Sequence, residues 1–84
     1  MTIATPHMRN RIALAERIAA YISENMVSVT AENLILLDEG SWERIARLAG
    51  AKTAPSDGTI TAVIALVRGK ELLTVIVQTI LERS

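Results

Sequence analysis

Apolar residues recur at steps of three and four from Met8 to about Met26: Ile12, Ala15, Ala19, Ile22 and Met26 form one stripe. Arg9, Arg17, Glu24 and Asn25 fall mainly off it. That period predicts an amphipathic helix, and its alanines allow a second helix to approach closely. Further on, Thr30 is placed to cap a short helix over Ala31–Leu37, with Glu32 favourable near the positive helix end. The apolar block Leu34–Leu37 also reads as a short buried strand, and Asp38-Glu39-Gly40 reads as a turn in either case. Ser41 is the expected cap of a helix over Trp42–Ala49, in which Trp42, Ile45, Ala46 and Ala49 make an apolar face joined by Leu48. Glu43 and Arg47 pair at i,i+4, and Gly50 supplies the left-handed residue that ends helices.

"AKTAPSDG" is a loop, and the stretch after it admits two readings. About half of residues 59 to 81 are β-branched, which favours strands, with Arg68-Gly69-Lys70 as a hairpin loop. Periodicity favours helix. Glu71, Thr74, Gln78 and Glu82 fall on one polar stripe, with Leu72, Leu73, Ile76 and Ile80 opposite. Ile60–Val67 is apolar on all sides and reads as a central buried helix stopped at Gly69. The expectation is an all-α fold, a compact bundle of about five helices, with α+β carrying a C-terminal β-hairpin as the alternative. Residues 1–7 are expected to be a disordered tail and residues 8–84 a single helical domain.

Composition narrows the functional classes. Half of the 84 residues are apolar, enough for a core in one domain and too many for intrinsic disorder. The core is aliphatic, with no Phe, one Trp and one Tyr. The chain has no cysteine, hence neither disulfides nor thiolate metal sites, which suits a reducing cytoplasm. Nine basic and nine acidic residues balance to zero, whereas nucleic-acid binders draw most of their affinity from a basic excess. No apolar run is long enough to span a bilayer without carrying Arg68 and Lys70 into it.

Candidate chemistry is sparse. The single histidine, His7, lies in the expected tail, and no His/Cys/acid cluster has metal-ligand spacing. Asp38 and Asp57 lie in expected turns, where capping accounts for them. "SDGT" lacks the glycine spacing and lysine of a phosphate-binding loop. No catalytic residue, cofactor or metal is expected.

Two resemblances bear on function. "ERIARLAG" followed by "SDGTITAVI" resembles the helix-turn-helix of lac-repressor-family regulators at Ile45, Ala46, Leu48, Gly50, Thr59, Ile60 and Val63. "AKTAP" lengthens the turn, and the would-be reading helix is almost all apolar where base edges call for polar side chains. Leu66, Gly69, Glu71, Leu72, Leu73, Ile76 and Leu81 resemble the pattern of bacterial death-like and effector-associated domains, which implies homotypic or adaptor binding and no catalysis.

The chain is therefore expected to be a non-enzymatic protein–protein interaction module of the cytoplasm, binding itself or a related helical domain. A small DNA-binding regulator is the alternative. The expected contact residues are Arg44, Arg47 and Lys52 around the third helix and loop, and Glu71, Gln78 and Glu82 on the last helix. Opposite-signed faces on one domain permit head-to-tail association of identical copies.

Overall fold

The computed structural model describes residues 6–26 and 28–83, with side chains from residue 12 onward. Within these, the chain forms α1 (Pro6–Asn25), α2 (Ala31–Ile35), α3 (Glu39–Leu48) and α4 (Asp57–Glu82), and no strand. The all-α expectation holds, and the β-hairpin alternative does not. Of the expected tail, residues 1–5 lie outside the described residues, while Pro6 and His7 already belong to α1.

Four helices stand where about five were expected, because the chain does not break at Gly69. α4 runs unbroken through 26 residues. A glycine inside a helix costs about 1 kcal/mol relative to alanine, but it ends the helix only when it leaves helical dihedrals. Gly50 is the one described glycine with positive φ (99°). Thr61, Thr74 and Thr79 turn their hydroxyls back onto the carbonyls of Asp57, Lys70 and Val75. Three of α4's threonines thus satisfy their polar atoms within the helix.

Local signals set most of the helix ends. Thr30 caps α2 in a reciprocal box: its hydroxyl accepts from Asn33 N–H at 3.3 Å, and Asn33 Oδ1 accepts from Thr30 N–H at 3.1 Å. The end of α3 is a complete Schellman motif, with Ala51 N–H donating to Ala46 O and Gly50 N–H to Arg47 O. The start of α3 differs from expectation. Asp38, not Ser41, is its cap, accepting from Ser41 N–H at 2.8 Å, so Glu39 and Gly40 belong to the first turn. Asp and Ser cap comparably well, and the earlier residue leaves the helix its extra turn.

The core is aliphatic with one indole. Ala15, Ile18 and Ile22 of α1 meet Leu34 of α2, Trp42, Ile45 and Ala46 of α3, and Val63 of α4. α1 and α4 form the main pair, with α2 against α4 and α3 against α1. Leu66 lies beside Ala19 and Ala20, and Lys70 reaches Ser23, so α1 and α4 run in the same direction. The stripe of α1 is centred one position away from expectation: Ile18 is wholly buried, while Ile12 stays 50% exposed at its edge. On α3, Leu48 is exposed rather than part of the buried face. The Leu34–Leu37 block is not a buried strand, since Leu34 alone of it is buried and Leu36 is 82% exposed.

Candidate interaction surface

α4 has two faces whose character changes along its length. Thr59, Val63, Val67, Lys70 and Thr74 follow one another at steps of three and four, and they face the other helices. Thr59 and Val63 are buried, and Val67 packs on the core. From Lys70 onward this side is mixed: Lys70, Glu71 and Thr74 alternate with Val75 and Val77, all of them exposed. The Lys70 ammonium donates to the Ser23 hydroxyl, and Glu71 Oε1 accepts the Ala31 N–H at 2.8 Å. Together they brace the second half of α4 against α1 and α2. Between them runs a crevice walled by the apolar Ile22, Met26, Val29, Val67 and Val75, with Ser23, Lys70 and Glu71 engaged in that brace and Thr74 bonded to its own helix.

The opposite, outer side of α4 is apolar and faces water. Every residue from Arg68 to Arg83 is exposed. Leu72 and Leu73 are each 61% exposed, Ile76 46% and Ile80 60%. The expectation of a buried central helix over 60–67 fails for the same reason. Ala65 and Leu66 are exposed, because α1 and α2 cover only one side of a helix that is apolar on both. The division of polar and apolar stripes was legible in the sequence, but their directions are reversed from the usual arrangement. Glu71 and Thr74 of the polar stripe turn toward the bundle, Gln78 and Glu82 extend beyond it, and Leu72, Ile76 and Ile80 turn away from it.

The expected contact residues fall on two separate regions. Arg44, Arg47 and Lys52 are exposed on α3 and in the loop after it. Arg47 Nη2 lies 2.8 Å from Glu43 Oε1, so this charge is already paired along its own helix. Arg44 contributes to holding the Asp38 carboxyl below its usual range, after the larger effect of hydrogen bonding to Ser41. Gln78 and Glu82 are exposed on the far half of α4. Glu71 is the exception among the six: its carboxylate is used within the fold. Sequence reasoning missed the outer face as a surface, although it had placed Leu72, Leu73, Ile76 and Ile80 together. Nothing local to α4 says which side the bundle will take.

Other chemistry is thin. Among the described residues, no group of three His, Cys, Asp or Glu side chains is gathered for a metal ion, and no helix is long and apolar enough to cross a membrane. The side chain of His7 lies outside the described residues. The stretch resembling a helix-turn-helix places Ile45, Ala46, Thr59 and Val63 in the interior, and Thr61 bonds its own helix. Family models, curated proteins and solved structures return no match to the chain.

Proposed function

We propose that the chain is a non-enzymatic protein–protein interaction module that works by homotypic self-association, with the outer face of α4 as its contact surface. The observation that carries this reading is the second half of α4, which leaves Leu72, Leu73, Val75, Ile76, Val77, Ile80 and Leu81 all exposed, with Leu72, Ile76 and Ile80 on the side away from the Glu71 contact to the bundle. Soluble monomers rarely leave a contiguous apolar patch of more than a few hundred Å² in water. Zero net charge supports the same reading, since it sets no long-range repulsion between copies. Of the residues expected to join copies, only Gln78 and Glu82 lie beside this apolar contact, since Arg44, Arg47 and Lys52 are on the separate α3 region and Glu71 is bonded within the fold. The resemblance to bacterial death-like and effector-associated domains points to a cytoplasmic role in defence or signalling, coupling one protein to another.

Sedimentation velocity across a concentration series tests this. The expected result is concentration-dependent association that holds or strengthens as salt rises, as an apolar contact does and a screened charge contact does not. Leu73→Glu with Ile76→Glu is expected to leave the chain monomeric with an unchanged helical circular dichroism spectrum, because both positions are exposed. A wild-type chain that stays monomeric at every concentration and salt overturns self-association. Association that weakens with salt and is abolished by Arg44→Glu with Arg47→Glu would move the contact to α3.

A further inference from the structure

We infer that two copies pair through α4 in antiparallel orientation about a twofold axis near residues 70 and 71; this rests on the self-association reading and specifies its geometry. The outer face is graded in size. Its first half carries small residues, Ala65 and Gly69, and its second half carries large ones, Leu72, Ile76 and Ile80, all exposed. A Cβ built on Gly69 meets nothing within 4 Å, so nothing in the monomer occupies the space above it. An antiparallel mate sets Gly69 opposite the second copy's Leu72 and Ala65 opposite its Ile76, filling each small position with a large side chain. A parallel mate sets Gly69 against Gly69 and Ala65 against Ala65, leaving gaps beside crowded leucines. Helix interfaces favour the arrangement without voids, because close packing supplies their dispersion energy.

Charge is compatible with this orientation. Asp57 begins α4, turned toward α3, and Arg83 caps its far end, both exposed. Antiparallel pairing sets the basic end of one helix at the acidic end of the other and the two helix dipoles head to tail. Parallel pairing brings like charges together at both ends. Area is sufficient. The half-exposed aliphatic residues of the outer face present on the order of 500 Å² per copy, and the pair about 1,000 Å², where specific interfaces begin. The axis is isologous, so the assembly closes at two copies rather than growing into a filament.

Cysteine crosslinking tests the orientation, and the chain has no cysteine of its own to confuse it. Ala65→Cys and Ile76→Cys are made as separate variants, oxidised alone and mixed, and read on a non-reducing gel. The two positions lie about 16 Å apart along one helix, beyond the reach of a disulfide within a chain or between like positions of an antiparallel pair. The expected result is a covalent dimer in the mixture and several-fold less in either variant alone. Ile76→Cys crosslinking by itself would overturn the antiparallel orientation and leave self-association standing. Oligomers in sedimentation with no crosslink in any sample would remove α4 as the contact. A monomer in sedimentation would remove both readings. Gly69→Leu gives an independent check. It is expected to weaken association several-fold by crowding the second copy's Leu72, whereas in a parallel pair it would fill a gap and strengthen it.

Discussion

Glu71 Oε1 lies 2.8 Å from the backbone nitrogen of Ala31, forty residues earlier in the chain. Ala31 is the first residue of α2, so its N–H has no partner within that helix. The carboxylate satisfies it from α4 and ties the second half of that helix to the bundle. Lys70 on Ser23 adds a second tie, while the rotation of the continuous α4 is set by Thr59, Val63 and Val67 packing on the core.

Glu71→Ala is expected to lower stability by about 1 kcal/mol, the net contribution of such a bond, because it leaves the Ala31 N–H without its acceptor. Gln78→Ala and Glu82→Ala, on the same stripe but exposed beyond the brace, are expected to change it by less than about 0.5 kcal/mol. Urea denaturation of the three variants at equal low concentration checks this. Equal effects at all three positions would mean that the Glu71 bond contributes nothing.

Ile18→Ala is expected to cost about 3 kcal/mol, through lost burial and the cavity left among Ile22, Trp42 and Val63. Ile12→Ala, half exposed at the edge of the same stripe, is expected to cost well under about 1 kcal/mol. The difference in urea midpoint between the two variants reads the direction in which α1 faces.

The two glycines that differ in conformation respond oppositely to alanine. Gly50→Ala forces an alanine to a φ of 99° and is expected to cost about 1 kcal/mol, lowering Tm by roughly 5 °C. The cost is backbone strain alone, since the nearest atom, Arg17 Nη1, lies at an ordinary 3.7 Å. Gly69→Ala, in helical dihedrals with open space around it, is expected to raise the stability of the dilute chain by up to about 1 kcal/mol. Thermal melts of both variants at low concentration provide the measurement.

Asp38 supplies a pH dependence. Hydrogen bonding to Ser41, then the charge of Arg44, holds its carboxyl below the usual aspartate value of 3.8 in the folded chain. A depressed carboxyl contributes stability that is fully present above the unfolded value and is lost as pH falls through the folded one. Asp38→Asn keeps a capping oxygen but does not titrate, so it is expected to lose less stability than the wild type as pH falls from 5 to about 3. Chemical denaturation at stepped pH checks this. Parallel losses in the two proteins would mean that other carboxylates carry the acid transition.

The elements were legible because they are written in neighbouring residues. Thr30 before Ala31, Gly50 after Ala49 and the three-and-four spacing of Ala15 and Ile22 each act within one or two helical turns, where contacts are set by backbone geometry. The same locality explains the errors. Gly69 carries the composition of a helix stop, but its dihedrals depend on whether the residues after it gain more from continuing the helix. Lys70 and Glu71 gain their partners only by continuing it, since Ser23 and Ala31 lie on other elements. Asp38 and Ser41 are both good caps, and sequence alone does not rank them.

The sequence by itself determined that the chain is helical up to Ala49 and that its core is aliphatic, and its period favoured helix over strand for residues 59 to 81, with Glu71, Thr74, Gln78 and Glu82 on one stripe, since side-chain period and type suffice for each. Tertiary structure alone decided which stripe faces the bundle. Thr59, Val63 and Val67 pack on α1 to α3 and fix the rotation of the continuous α4, which carries Lys70 and Glu71 to their partners on α1 and α2. Leu72, Leu73, Ile76 and Ile80 are left facing water, because hydrophobic burial is non-directional and needs a second surface, and α1 and α2 lie against the other side of the helix.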